Sequence, residues 1–293
     1  MKNEIIKRGD ITAECRTYGA ELVSMKKNGK EYIWQGDPKY WKGQNPILFP
    51  VLCSLKDGKV TIDGVTYELP KHGFARHSEF EVTNKTESSV TYTLRDSEET
   101  RKAYPGRFTF NVTHSVSEKG FVTTFEVVNN GDKTMHFHVG GHTGINVPLN
   151  DKFSFTDYSV IFDGIEHATN YKAPTGKLIV NPEGSHDVLD GSDRIKLDYS
   201  LFKNDALMLA DLKSENVRLV DPDGKGVTMN FKGFSALGIW TPSSIDSPFL
   251  CIEPWNGLPA FENETGRFED KPFAIHLPAG EKYTASFSVD IID

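Results

Sequence analysis

The stretch RFTFNVTHSVSEKGFVTTFEVVNN, residues 107–130, decides the fold class because its apolar side chains recur at every second position. In its first half these side chains fall on one face of an extended chain: Phe108, Phe110, Val112 and Val116. Such alternation is typical of a β-strand with one buried face. Glu118, Lys119 and Gly120 then interrupt the pattern, which resumes in FVTTFEVV. The stretch therefore predicts a β-hairpin.

Similar patterns occur elsewhere along the chain. Residues 60–69 predict a second hairpin, with Asp63 and Gly64 at its tip. The segments VRLV and VTMNF are separated by a turn at residues 221–224. Residues 283–291 again carry an apolar side chain at every second position, which predicts a closing strand near the C-terminal end.

A helical pattern is confined to SEETRKAYPG, residues 97–106, where Ser97 is a candidate N-cap and Pro105 a stop signal. Many short strands with turns between them, in a chain of this length, indicate an all-β sandwich or barrel. No Pro-rich or Ser-rich linker divides them. We therefore expect residues 1–293 to form a single domain.

The 293 residues carry a formal net charge of -8, with 38% hydrophobic and 25% charged residues. This composition is ordinary for a soluble globular protein. An acidic chain argues against a nucleic-acid or anionic-membrane partner, because either would require a basic surface. A small neutral or polar ligand is expected instead.

The first ten residues contain no apolar segment of the kind found in signal peptides, and no apolar run is long enough to cross a bilayer. The three cysteines, Cys15, Cys53 and Cys251, are odd in number and lack CxxC spacing, which favours reduced thiols. These observations favour a cytoplasmic protein. Its oligomeric state, monomer or homodimer, stays open.

Three histidines lie close together in MHFHVGGHTG, residues 135–144. On a strand, His136 and His138 would point to one face and, with His142, could bind a metal ion. No glutamate ligand follows closely, so strand histidines with hydrogen-bonded rings are the simpler interpretation. His142 differs from the other two. The glycines around it predict a turn on which an imidazole can approach a ligand and exchange a proton near neutral pH.

Two further stretches carry candidate site residues. HGFAR offers an imidazole at His72 and a guanidinium at Arg76 on a turn. FLCIEPWNG, residues 249–257, carries Glu253 from an apolar strand into a turn, where burial would raise the carboxyl pKa and produce a competent general base. Trp255 could stack on the apolar face of a sugar. From spacing alone, an ordinary structural turn is the simpler explanation of each stretch.

Four stretches, in this order, resemble motifs of the aldose 1-epimerase (galactose mutarotase) family, and specifically of its LacX-like branch. They are NPILFP (residues 45–50), HGFAR (72–76), GGH with Asn146 and Pro148 (140–148), and CIEPW with Gly257 (251–257). The resemblance covers most of the chain, and its specificity comes from the order of the four motifs. It implies a large antiparallel β-sandwich of the galactose mutarotase type, which agrees with the period of two.

The resemblance also implies a reaction, in which a pyranose ring opens and recloses so that the α and β anomers of an aldohexose interconvert. Glu253 would be the base and His142 the acid. The other contacts to the sugar would come from four residues: His72, Arg76, Asp205 and Trp255. No metal ion or other cofactor is implied. A carboxylate beside His142 would favour the protonated imidazole, which suits an acid.

Three short segments depart from the family's pattern. Cys53 and Ser54 stand where the family usually has Gly-Arg, so Arg76 would have to supply the missing sugar contact. The segment TGI at residues 143–145 replaces Pro-x-Phe, which removes an aromatic ring near the site. Residues 258–260 lack the aspartate often found after the glutamate motif. Because the acid–base pair is retained and the anchors differ, the sequence indicates the reaction type better than the substrate.

Three alternatives stay open. A non-catalytic carbohydrate-binding or regulatory protein on the same sandwich would fit the changed anchors. A hexose-6-phosphate 1-epimerase would require cations around the site, for which Lys71 and Arg76 are candidates. A metal enzyme would use His136, His138 and His142 as ligands.

Overall fold

The computed structural model describes residues 2–173 and 179–293, and these residues form mainly β-strands. The first strands in chain order are β1 (Asn3–Arg8), β2 (Ile11–Arg16), β3 (Glu21–Lys27), β4 (Lys30–Glu31), β5 (Ile47–Leu48), β6 (Lys59–Ile62), β7 (Val65–Glu68), β8 (Glu81–Lys85) and β9 (Ser89–Arg95). They are followed by β10 (Phe108–Val116), β11 (Gly120–Asn129), β12 (Met135–Phe137), β13 (Val139–Gly141), β14 (Thr143–Asn146), β15 (Ser159–His167), β16 (Thr169–Asn170), β17 (Ile179–Val180) and β18 (Asp190–Lys196). The last strands are β19 (Leu207–Ala210), β20 (Asn216–Val220), β21 (Gly226–Asn230), β22 (Ala236–Trp240), β23 (Phe249–Asn256), β24 (Ala260–Phe261), β25 (Ile275–Leu277) and β26 (Lys282–Ile292).

Helices are short in this protein. The α-helix α1 (Glu98–Ala103) lies where the sequence predicts one. Ser97 caps it: its side chain accepts from the Thr100 N–H, and the Thr100 side chain accepts from the Ser97 N–H in return. The remaining helices of the described residues are short 3-10 turns: Lys56–Gly58, Ala75–His77, Phe155–Asp157, Tyr199–Phe202 and Phe268–Asp270.

Two large antiparallel sheets dominate the architecture. The larger has nine strands in the order β18-β15-β20-β21-β26-β11-β10-β9-β8. The other follows the order β16-β19-β22-β23-β13-β5, with β14 also paired to β23. A four-stranded sheet, β1-β2-β3-β4, and three two-stranded sheets complete the described strands. The predicted all-β class is thereby confirmed.

The two large sheets face each other across an aromatic core. Phe49, which follows β5, stacks on Phe110 of β10 with ring centroids 4.5 Å apart. Gly141 of β13 lies so close to Phe287 of β26 that a Cβ atom would come within 2.8 Å of the ring. Face-to-face packing of this kind defines a β-sandwich. The predicted large antiparallel β-sandwich is confirmed.

The hairpin at residues 107–130 is confirmed as β10 and β11. Phe110 lies opposite Val127 and Val112 opposite Phe125. Every second residue of β10 is buried, and the position between Val112 and Val116 on that face is filled by His114. Its ring is accommodated by hydrogen bonds to the side chain of Thr123 and the carbonyl oxygen of Ala20.

The other sequence predictions of local structure also hold. Residues 60–69 fall on the β6–β7 hairpin, residues 221–224 connect β20 to β21, and residues 283–291 lie within β26. Among the residues that the structure describes, no helix is long and apolar enough to cross a membrane. The assignment of residues 1–293 to one domain stays a prediction.

Candidate active site

Strand β23 passes through the interior of the protein, and all eight of its residues are buried. Side chains two apart on a strand share a face. Leu250 and Ile252 therefore contribute to the main core, whereas Cys251, Glu253 and Trp255 lie on the opposite face. Glu253 is thus held on a rigid central strand and is only 1% exposed.

His142 lies opposite Glu253 in the neighbouring chain segment. Gly140 pairs with Trp255 and Thr143 with Ile252, a register that places His142 across from Glu253. The predicted glycine turn is wrong, because His142 connects two short strands, β13 and β14, that both pair with β23. The glycines serve close packing instead: a Cβ atom at Gly140 would lie 2.8 Å from the Pro254 carbonyl oxygen.

The imidazole and the carboxyl group line one cavity of about 220 Å³. His142 Nε2 and Glu253 Oε2 are 3.3 Å apart. Within the described part of the chain, Glu253 Oε2 and His142 Nδ1 are buried without a hydrogen-bond partner. Buried polar atoms normally have partners, and exceptions call for a functional explanation. Two groups that can exchange protons therefore stand side by side with unused hydrogen-bonding capacity.

Burial moves the two pKa values in opposite directions. It raises the pKa of Glu253 well above its usual value, an effect that Lys71 opposes and Asp205 reinforces. It lowers the pKa of His142 well below its usual value, and the charges of Arg76 and Lys71 lower it further. The expectation that the neighbouring carboxylate favours protonated His142 is therefore wrong, because burial makes the charged imidazolium unfavourable.

His72 is fixed beside this pair by its backbone. The Cys53 N–H donates to His72 Nδ1 over 3.1 Å, so the ring carries its hydrogen on Nε2 when neutral. The ring centroids of His72 and His142 are 5.7 Å apart. The next residue, Gly73, has φ = +72°, and a Cβ atom there would lie 2.2 Å from the Phe49 carbonyl oxygen. Only glycine fits this turn.

The predicted residues Arg76 and Asp205 also line the cavity, together with Lys71. Arg76 is partly buried, and desolvation lowers its pKa. Among the described residues, neither Arg76 nor Lys71 forms an ion pair. Asp205 follows the 3-10 turn Tyr199–Phe202 and brings a carboxylate to the same cavity. The cavity therefore combines cationic and anionic hydrogen-bonding groups.

Aromatic residues form part of the cavity wall. Trp255 lines it but is only 1% exposed, which leaves little of its ring for stacking on a ligand. Trp41 stacks on His142 with ring centroids 4.9 Å apart, and Trp240 meets the same ring edge-on at 6.0 Å. Sequence reasoning missed both, since neither lies in a motif. Gly144 provides the room for Trp41, because a Cβ atom there would lie 3.2 Å from its ring.

The structure separates the three histidines of residues 135–144. His136 pairs with His276 in the middle of the β12–β25 ladder, with Nδ1 atoms 2.6 Å apart. His138 is buried against Phe268. In the described part of the chain, the one group of three potential metal ligands consists of His142, Cys251 and Glu253, so the alternative of a metal site made of the three histidines is wrong.

Comparison with known proteins agrees with this architecture. The family model for aldose 1-epimerase matches residues 1–290. The chromosomal LacX protein of Lactococcus lactis subsp. lactis is 33% identical over 306 aligned positions, which cover 100% of this chain and 99% of the relative. A protein of Salmonella typhimurium named as a candidate glucose-6-phosphate 1-epimerase is 26% identical over 210 positions, or 64% of this chain and 66% of the relative.

The fold also matches a solved structure closely. The crystal structure of a galactose mutarotase related enzyme from Lactobacillus acidophilus has a TM-score of 0.93 to this chain, at 32% identity. The alignment covers 100% of this chain and 98% of that one. The matches extend over the whole sandwich and include the strands that carry His142 and Glu253. The chain therefore belongs to the aldose 1-epimerase family.

Proposed function

We propose that this protein is an aldose 1-epimerase that interconverts the α and β anomers of an aldohexose, with Glu253 and His142 as its acid–base pair. The observation that carries the proposal is the 3.3 Å approach of His142 Nε2 and Glu253 Oε2 in one cavity. Two proton-exchanging groups suffice for mutarotation, because breaking and re-forming the bond between C1 and the ring oxygen requires only that protons move between the sugar's own oxygens.

The proposed reaction begins with ionised Glu253 and protonated His142. Glu253 takes the proton of the C1 hydroxyl, the bond between C1 and the ring oxygen breaks, and His142 protonates that oxygen. The product is the open-chain aldehyde. After rotation about the C1–C2 bond, His142 takes the proton back as the oxygen attacks the other face of C1, and Glu253 reprotonates the carbonyl oxygen. Atoms and protons balance, so no cofactor is required.

The pKa shifts support these roles. A carboxylate whose pKa is raised by burial is a stronger base, and an imidazolium whose pKa is lowered is a stronger acid. The two groups share one proton, so the pair titrates as a unit. Burial favours its neutral form, in which the proton lies on Glu253. We propose that sugar hydroxyl groups solvate the charged form and allow proton transfer to begin.

The remaining predicted residues are proposed to hold the sugar. The Nε2–H of His72 donates near the ring oxygen, whereas Asp205 and Arg76 bind hydroxyl groups. Trp41 and Trp240, which contact the His142 ring, are proposed to offer the sugar an apolar wall. Trp255 is proposed to act mainly on Glu253, since its indole N–H favours the ionised carboxyl group.

Polarimetry of freshly dissolved α-D-galactose and α-D-glucose tests the proposal. We expect the wild-type protein to accelerate the approach to anomeric equilibrium and a His142→Ala/Glu253→Gln double variant to show the buffer rate. Circular dichroism of the double variant checks that it is folded. If the wild-type protein gives only the buffer rate with every aldohexose tested, the proposed activity on free sugars is wrong.

A hexose-6-phosphate 1-epimerase is a second candidate function. The observation that favours it is the pair of cations, Lys71 and Arg76, in the cavity wall. Among the described residues neither cation forms a direct ion pair, although the charges of Glu21 and Glu253 act on Arg76. A phosphate group could therefore accept charge-assisted hydrogen bonds from both cations. The Salmonella typhimurium relative carries the corresponding name.

Exchange NMR between the two anomeric H1 resonances distinguishes the candidates with a single readout. If the substrate is phosphorylated, glucose 6-phosphate exchanges faster than glucose at equal protein concentration. A Lys71→Gln variant then raises KM for the phosphate ester while leaving KM for the free sugar little changed, because Lys71 is not among the residues proposed to bind sugar hydroxyl groups. Equal exchange of both sugars, or of glucose alone, contradicts the phosphate proposal. A folded protein that binds sugar without accelerating exchange would instead be a carbohydrate-binding protein.

A further inference from the structure

The acid–base pair has a third potential ligand beneath it. Cys251 lies two residues before Glu253 on β23 and therefore on the same face. One ligand atom each from His142, Cys251 and Glu253 lies within 4.8 Å of the other two. All three residues are buried, and Cys251 is 0% exposed. We propose that these residues form a binding site for a soft divalent cation, of which Zn²⁺ is the best example, and that the bound cation inhibits the enzyme.

The donor set fits this class of ion. Imidazole nitrogen, thiolate sulfur and carboxylate oxygen are the three ligand types that Zn²⁺ takes in proteins, and three protein ligands leave a fourth position open. The thiolate favours Zn²⁺ over Mg²⁺ or Ca²⁺, which prefer oxygen ligands. Sequence spacing did not point to this set, because His142 comes from a distant part of the chain.

The spacing of the ligand atoms also fits. Nitrogen and oxygen ligands of a tetrahedral Zn²⁺ are about 3.4 Å apart, given metal–ligand bonds of about 2.1 Å. His142 Nε2 and Glu253 Oε2 are separated by 3.3 Å. The Cys251 sulfur completes the set, since all three ligand atoms lie within 4.8 Å of one another.

Among the described residues, hydrogen bonds do not prevent an ion from binding at this site. Glu253 Oε2 makes no hydrogen bond although the residue is 1% exposed. Glu253 and His142 both line the cavity, so an ion can reach them from there. Lys71 and Arg76 in the same wall oppose a cation, whereas Asp205 favours it. We therefore expect reversible rather than permanent occupancy.

Inhibition follows from the proposed function, on which this part of the inference rests. Mutarotation uses the lone pairs of His142 and Glu253 to accept protons, and a bound cation occupies those lone pairs. The cation also stands where the C1 hydroxyl would lie. Zn²⁺ should therefore compete with the sugar and raise the apparent KM, and chelation should restore the original rate.

Cobalt spectroscopy tests the site independently of catalysis. Co²⁺ added to the untagged protein should give the near-ultraviolet absorption of a cobalt–thiolate bond, and Zn²⁺ should displace it. The band should disappear in Cys251→Ser and Cys251→Ala and persist in Cys53→Ser, which removes the other thiol near this cavity. Absence of the band in wild-type protein, or its persistence without Cys251, would overturn the metal site.

Inhibition provides the second arm. Cys251→Ser should weaken inhibition by Zn²⁺ at least about tenfold, by loss of a ligand. His276→Ala should leave inhibition unchanged, because the His136–His276 pair is a separate place where Zn²⁺ might otherwise act. Equal inhibition of wild type and Cys251→Ser contradicts the proposal. A cobalt–thiolate band in a protein without mutarotase activity would refute the proposed function and leave the metal site standing.

Discussion

His138 and His142 lie four residues apart, and both are buried histidines whose pKa is lowered by desolvation. Their surroundings differ. His138 packs edge-on against Phe268, and a Cβ atom at Gly257 would lie 2.4 Å from its ring, so no space remains for a ligand. His142 lines a cavity and stands 3.3 Å from Glu253.

The comparison shows that burial and a lowered pKa alone do not single out the histidine that we propose to be catalytic. Both nitrogen atoms of His138 lack hydrogen-bond partners among the described residues, as does Nδ1 of His142. What distinguishes His142 is a proton-exchanging partner on the facing strand and access to a cavity. The contrast predicts that substitutions at His138 and His142 have very different effects on activity.

The largest effect is expected at the acid–base pair. His142→Gln and Glu253→Gln each remove a proton-transfer group while retaining approximate size, so each should lower kcat by about 10²–10⁴-fold. Mutarotation of the preferred sugar, measured by polarimetry, is the readout. Combining the two substitutions should cost less than the product of the single effects, because the residues act as a unit. Undiminished kcat in either variant would remove that residue from the mechanism.

The next largest effect concerns pH. The proposed active pair holds one proton, and the raised pKa of Glu253 means that this proton is retained to higher pH than an ordinary carboxyl group, with its usual pKa of 4.5, would retain it. The value of kcat/KM should therefore stay on its plateau well above pH 4.5 and then fall about tenfold per pH unit. An alkaline limb close to pH 4.5 would contradict the shared-proton description.

A smaller effect is expected at Trp41. Of the two histidines compared, His142 is the one that Trp41 contacts. Its ring stacks on His142, and we expect this contact to orient the imidazole and to stabilise the imidazolium that the proposed reaction uses. Trp41→Leu should lower kcat by up to about tenfold, the equivalent of one aromatic contact. Trp41→Phe should recover most of that loss and return the pH profile to that of the wild type. If Trp41→Phe and Trp41→Leu behave alike, Trp41 has only a packing role.

The smallest effect is expected at His138. His138→Leu removes two buried nitrogen atoms without hydrogen-bond partners and keeps an apolar group of similar size, which is often close to neutral. We expect a change of less than about 1 kcal/mol in the free energy of unfolding and no change in kcat/KM. Urea denaturation and polarimetry measure the two quantities. A large loss of activity in a stably folded His138→Leu protein would break the distinction drawn between the two histidines.

The fold was predictable because its signals are local. The alternation in residues 107–130 reflects one strand face directed at the core, and the cap at Ser97 depends on residues three apart. The site was predictable only in part. Recognition of four motifs in order supplied His142, Glu253, His72 and Arg76, and the structure brings all four to one cavity.

The errors have a common physical origin in packing between distant segments. The glycines before His142 predict a turn, yet they lie in a strand because Phe287 and Trp255 press against them. Trp41 lies in no motif, and its position depends on its packing against Phe249 and His142. Ile145 stands where the family pattern has an aromatic residue near the site. In this protein Trp41, from another part of the chain, supplies an aromatic ring there.

The sequence by itself determined the all-β class, the main hairpins and the identity of the acid–base candidates. Strand periodicity and short motifs can be recognised from residues that are close in the sequence, and the order of the motifs can be read along the chain. Only the tertiary structure decided which histidine faces Glu253, which cations share its cavity and in which direction each pKa moves. Those properties depend on cross-strand register and on exclusion of water. Both arise when the two sheets pack together, and neither is encoded at any single position.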